Sequence, residues 1–219
     1  MHNTMKGAYL DFLLVKEYFK TIIYLFIISI VFAVSIRSIS AGMVTAMTIL
    51  AMRVVSLPFE SEERTEINKF YDIIPMLRSQ RVYGRYFFTI LIGILGAVFS
   101  VIIQSIVFLS IGINITIIES MVGLGISLCI YLFSITLQIP FFYRYGAIKG
   151  RLAVVFPIIG LGAFYYFSGK LVNWGITPST AMISILDNSI VVGLILLIFI
   201  IVLLIISMQV TIKTCISRK

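Results

Sequence analysis

Catalysis needs side chains that hold a proton, a charge or a metal ion within reach of one another, and this sequence of 219 residues offers few. Its one histidine is His2, beside the first residue, so a serine–histidine dyad or a histidine-ligated zinc has no second member. Cys129 lies inside an apolar run and Cys215 near the C-terminal end, a placement that suggests no disulfide framework. Paired aspartates within apolar runs are missing. A phosphate-cradling loop needs G-x-x-x-x-G-K-[ST], and Gly169-Lys170-Leu171 comes nearest without meeting it. The chain is expected to hold no cofactor or metal and to catalyse nothing by itself.

The remaining polar groups inside apolar segments are Thr45, Thr48, Gln104, Ser105, Ser127, Ser134, Thr136 and Gln138. Such residues more often tie helices together than bind substrate. Thr45, Thr48, Gln104 and Gln138 are the candidates for lining a translocation path. Arg53 and Glu119 stand close to the ends of apolar runs, where snorkelling at an interface accounts for them as readily as a transport role does. A path without buried charge suits apolar or amphipathic cargo. Gly93, Gly96, Gly123, Gly125, Gly160 and Gly162 read first as close-packing sites between helices.

These residues must be positioned by elements that lie in lipid. Sixty per cent of the chain is hydrophobic and 12% charged, against about 25% charged in a soluble domain. A chain of this length cannot hide so much apolar surface from water. Runs long enough to span a bilayer occur at 21–36, 39–57, 86–113, 117–142, 152–167 and 190–212, the second ending at Pro58. The sequence therefore predicts an all-α membrane protein of six transmembrane helices, forming a single transmembrane domain over 1–219.

The net charge of +8 follows from where the basic residues fall. With the N-terminus inside, 15 of the 17 Lys and Arg lie on the cytoplasmic side, and only Arg37 and Lys170 lie outside. That bias predicts cytoplasmic N- and C-termini and removes the need for a nucleic-acid partner. No small-residue cleavage site follows the first apolar run, so insertion is expected to rely on the spans themselves. In the outer stretch after the fifth run, Trp174 with Tyr165 and Tyr166 fits an interfacial aromatic belt, and 181–186 suits a short surface helix.

Two cytoplasmic segments are not spans. From Tyr9 to Phe19, Leu10, Leu13, Leu14 and Tyr18 recur at helical spacing beside Asp11, Lys16 and Glu17, which predicts an amphipathic helix in the inner interface. Between Pro58 and Arg85 the chain reads PFESEERTEINKFYDIIPMLRSQRVYGR. Glu60, Glu62, Glu63 and Glu66 suit a helix N-terminus capped by Ser61. Ile67, Phe70, Tyr71 and Ile74 then form one apolar stripe that ends before Pro75. Arg78, Arg81 and Arg85 are expected at the inner interface ahead of the third span. A short helix with aromatic anchors is either packed on the membrane surface or a docking knob for a cytoplasmic partner.

In layout the chain resembles the ABC type-2 permeases of bacteria, and within them the small permeases of bacteriocin, lantibiotic and phenol-soluble-modulin export. The residues that carry the resemblance are Phe59, Glu62 and Glu63, then Ile74-Pro75-Met76-Leu77-Arg78, with Tyr86 opening the third span. Ile before Pro75 departs from the more typical Leu. The resemblance implies a coupling helix within 62–77 that sits in a groove of a separate ATPase subunit. Glu62, Glu63, Glu66, Ile67, Phe70, Tyr71, Ile74 and Arg78 would form that contact. It further implies two ATPase copies carrying ATP and magnesium, a second permease copy or homologue, surrounding lipid, and residence in the bacterial cytoplasmic membrane. Two other classes fit the same outline: the substrate-binding membrane subunit of a vitamin importer, and an accessory or immunity membrane protein.

Overall fold

A computed structural model describes residues 2–65, 77–113, 117–155, 158, 162 and 189–217. Among them the chain is helical: α1 (His2–Lys16), α2 (Phe19–Ile36), α3 (Ile39–Thr65), α4 (Arg78–Ser110), α5 (Ile117–Gly150), a 3-10 turn at Arg151–Val154, and α6 (Ser189–Ser217). Five of these helices, α2 to α6, are long and apolar enough to cross a membrane. Helices suit lipid because every mid-helix N–H and C=O is satisfied within its own segment. The expected span at 152–167, the outer stretch that follows it and the expected helix at 66–76 fall wholly or mostly outside the described residues.

The reversal from α2 to α3 takes two residues. Arg37 adopts φ 56°, ψ 35°, while Ser38 N–H donates to Ala33 O at 3.2 Å and Arg37 N–H to Val34 O at 3.2 Å. This is a Schellman closure, with Arg37 in the left-handed position that glycine usually fills. Ser38 Oγ then accepts from Ala41 N–H at 3.4 Å and opens α3. At the end of α4 the same closure uses Gly112, at φ 78°, with Ile113 N–H donating to Phe108 O at 3.1 Å. Glycine adopts that conformation without the Cβ clash.

Two elements depart from the sequence expectation. Pro58 does not stop the second apolar helix, which runs on to Thr65, so Ser61 lies inside α3 and not at a helix start. A proline inside a helix costs about 3 kcal/mol. Here the turns beyond it are held from outside: the Phe59 ring stacks on Phe142 at 5.0 Å and meets Tyr143 edge-on at 5.1 Å. The fourth expected span, α5, likewise passes Phe142, through Pro140, and breaks only at Gly146, where φ is 76° and ψ 178°.

The bundle is arranged around α3, which packs against α1, α2, α4 and α5, while α6 lies against α4 and α5. Small residues let the helices approach. Gly123 of α5 meets Ser40 and Met43 of α3, and Gly93 of α4 receives the Tyr131 ring of α5. Tyr131 is fully buried, and its hydroxyl donates to Thr89 O at 2.7 Å. A second polar tie joins three helices: Tyr86 Oη lies 2.6 Å from Ser207 Oγ, which donates to Thr136 O at 2.7 Å. Lipid tails are as apolar as leucine, so close packing and such hydrogen bonds drive helix association.

A Cβ on Gly93 would stand 2.0 Å from Tyr131 Cε1, and the ring is pinned by its hydroxyl. Gly93→Ala is therefore expected to cost about 1–3 kcal/mol. Gly125→Ala, with nothing within 4 Å, is expected to be near neutral. Thermal unfolding of the two variants in detergent, monitored by circular dichroism, compares them directly.

Candidate functional site

The charged residues flanking the 66–76 segment converge on a buried cluster. Arg85 stands two turns into α4 and is 1% exposed. A guanidinium taken out of water costs several kcal/mol unless its donors and its charge are matched. Asp11 of α1 supplies the first match with two hydrogen bonds: Arg85 Nε donates to Oδ2 at 3.2 Å and Nη2 to Oδ1 at 3.0 Å. Glu62 of α3 supplies the second, accepting from the same Nη2. Arg81, one turn earlier on α4, also reaches Glu62 Oε1 at 2.6 Å. Two cations and two carboxylates thus balance.

Aromatic faces complete the enclosure. The Arg85 guanidinium lies over the Phe59 ring at 4.1 Å from its centroid and near the Tyr143 ring at 5.5 Å. Arginine suits this position because its flat group stacks on rings while its edge forks onto a carboxylate. Burial pushes the Asp11 carboxyl above the usual carboxylate range, and Arg85 draws it part of the way back.

Glu63, next to Glu62, binds in another direction. Its Oε1 accepts from Ala147 N–H, the first amide after the break at Gly146. A side chain at Gly146 would collide with that oxygen, since an added Cβ lies 2.8 Å from it. The end of α3 is therefore fastened to α4 through Glu62, with Arg85 carrying the link on to Asp11 of α1, and to α5 through Glu63, directly before residues 66–76.

The expected site residues separate as follows. Glu62, expected at a partner interface, is buried and turned onto Arg85 and Arg81. Arg85 is buried within the bundle, where Asp11 and Glu62 pair with it. Glu63 is exposed yet committed to Ala147 N–H. Glu66, Ile67, Phe70, Tyr71 and Ile74 lie outside the described residues, and Arg78 opens α4.

Among the candidates for a path, Thr48, Gln104 and Gln138 are buried in the bundle and Thr45 is partly exposed. Thr45 and Thr48 donate to the carbonyls of Ala41 and Val44, the ordinary use of threonine in a membrane helix. Gln104 Nε2 donates to Ser100 Oγ at 3.2 Å.

The sequence spacing places Asp11 on the polar face of an interfacial helix. In the structure α1 turns Ala8, Asp11 and Val15 inward and leaves Tyr9, Phe12 and Leu13 exposed. The available signal was a lone acid in the run Leu10 to Val15 and a lone base before Tyr86-Phe87-Phe88. Each is costly in an apolar layer alone, and their signs are opposite.

A family model described as "ABC-2 family transporter protein" matches residues 9–215, almost the whole chain. The chain belongs to the ABC-2 transporter family. Neither curated proteins nor solved structures yield a match. ABC-2 permeases are multi-pass membrane subunits that normally work with an ATPase subunit. In this ABC-2 protein the match begins within α1, so the helix that carries Asp11 is part of the family's own domain.

Removing Arg85 leaves two buried carboxylates facing one another with Arg81 alone to offset them. Arg85→Met is expected to cost about 3–5 kcal/mol, the range for breaking a buried pair from one side. Asp11→Asn keeps an acceptor and removes a charge that burial already disfavours, so it is expected to cost less. Detergent melting followed by size-exclusion chromatography ranks the two; equal losses would contradict the arrangement.

Proposed function

We propose that this ABC-2 protein is the permease subunit of an ATP-driven exporter that moves amphipathic peptides or other hydrophobic cargo out of the cell. Residues 62–77 would deliver the motion of a separate ATPase, with Phe70 and Tyr71 as anchors in its groove. ATP and magnesium would be bound by that partner, in two copies beneath two permease chains. Both termini would lie in the cytoplasm of a bacterial cell, as the distribution of Lys and Arg favours.

The observation that carries the reading is the clamp at the root of this segment. A lever needs a stiff attachment. The last turns of α3 are tied to α4 and α5 by Glu62 and Glu63, and through Arg85 to α1, so a push on 66–76 would reach four helices together rather than bend one. A loop helix resting on the membrane would need no such attachment.

The test is recovery of partners from the native membrane by the tagged chain. Wild type is expected to bring down an ATPase subunit. Phe70→Ala/Tyr71→Ala is expected to lose it at an unchanged permease level, because aromatic anchors carry much of an interface's energy. Recovery of no ATPase with either form would overturn the reading, and equal recovery with both would place the docking surface elsewhere.

A further inference from the structure

Among the described helices α3 is the most enclosed, and beyond Ser40 its exposed positions fall along one stripe on which a cation stands. Within the α3 span 72% is buried, against 39% or less for the other four spans. None of its large hydrophobic side chains is exposed. Its only exposed side chains among the described residues are Arg53 and Glu63, with Thr45, Ile49, Met52 and Glu60 partly exposed along the same stripe. Glu63 is occupied by Ala147 N–H. Arg53 forms no ion pair among the described residues.

Its place in an apolar helix makes this exposure costly. Arg53 lies 14 residues after Ile39, about 21 Å along the axis, and seven residues, about 10 Å, before Glu60. Snorkelling toward the Glu60 end is the usual relief. The direction of α3 works against it, because side chains in a helix lean toward its N-terminus. The Cα–Cβ bond of Arg53 therefore starts toward the N-terminal side of α3, away from the nearer polar end. An arginine in that position calls for an anion brought to it.

We propose that Arg53 and the stripe Thr45–Ile49–Met52 form a binding site for an anionic amphiphile, with the guanidinium on its charged headgroup and the apolar tail along Met52 and Ile49. The class of ligand follows from the two surfaces: a fork of donors suits phosphate or carboxylate, and the adjoining stripe is apolar. A free inorganic anion would leave the apolar part unused. That the site serves cargo on its way out rests on the permease reading; the binding itself does not.

The experiment uses the purified chain in neutral detergent, with dodecyl phosphate and dodecylphosphocholine as probes of equal tail length. Wild type is expected to bind the anionic probe about tenfold more tightly, equivalent to about 1.4 kcal/mol. Arg53→Gln is expected to erase the preference, and Arg53→Lys to keep part of it. Inorganic phosphate is expected not to compete. Because Arg53 is exposed, melting temperatures should be unchanged and serve as the folding control.

Equal binding of both probes by wild type, or a preference that survives Arg53→Gln, would overturn the proposal. Competition by inorganic phosphate would overturn the amphiphile as its ligand. Loss of chain pairing in Arg53→Gln with probe binding intact would overturn it in favour of a contact between copies. ATPase recovery, measured in parallel, reports on the permease reading alone.

Discussion

A guanidinium cannot be left bare among apolar side chains, and the base of this bundle is organised around satisfying one. Arg85 takes both oxygens of Asp11 and one of Glu62, and its flat face is covered by Phe59. Each partner comes from a different helix, so α1, α3 and α4 must keep their relative positions for the charge to stay balanced. In a low-dielectric setting an unmatched partner is costly, which makes the cluster act as a unit.

The rest of the bundle is held by a different kind of contact. Without a hydrophobic drive between helices, association depends on how closely backbones approach and on hydrogen bonds that lipid cannot supply. Gly93 against Tyr131 and Gly123 against Ser40 give the approach, and the Tyr86–Ser207–Thr136 chain gives the bonds. Both are specific in position. They leave α3 enclosed on nearly every side, and the few points where it is open gain meaning from that enclosure.

The two acidic neighbours at the end of α3 illustrate how a helix divides labour between adjacent residues. Successive side chains on a helix point about 100° apart. Glu62 therefore turns toward α4, and Glu63 toward the break in α5. The first balances charge; the second receives an amide left open where Gly146 interrupts the helix. In linear sequence they look alike, as two members of an acidic run.

Composition and the length of the apolar runs determined the helical membrane class, because lipid admits only segments that satisfy their own backbone. The acidic-then-aromatic segment after the second apolar run was likewise legible and pointed to the ABC-2 family. Three things depended on tertiary contacts. Pro58 reads as a stop, yet the helix continues because Phe59 and Glu62 are held by residues far along the chain. Asp11 and Arg85 are 74 positions apart, and nothing local marks them as partners. Glu62 and Glu63 read as a solvated helix start, but burial beside a cation and an open amide gave each an internal task. Periodicity reports which side of a helix is apolar; which charge a neighbouring helix brings to it is decided only when the helices pack.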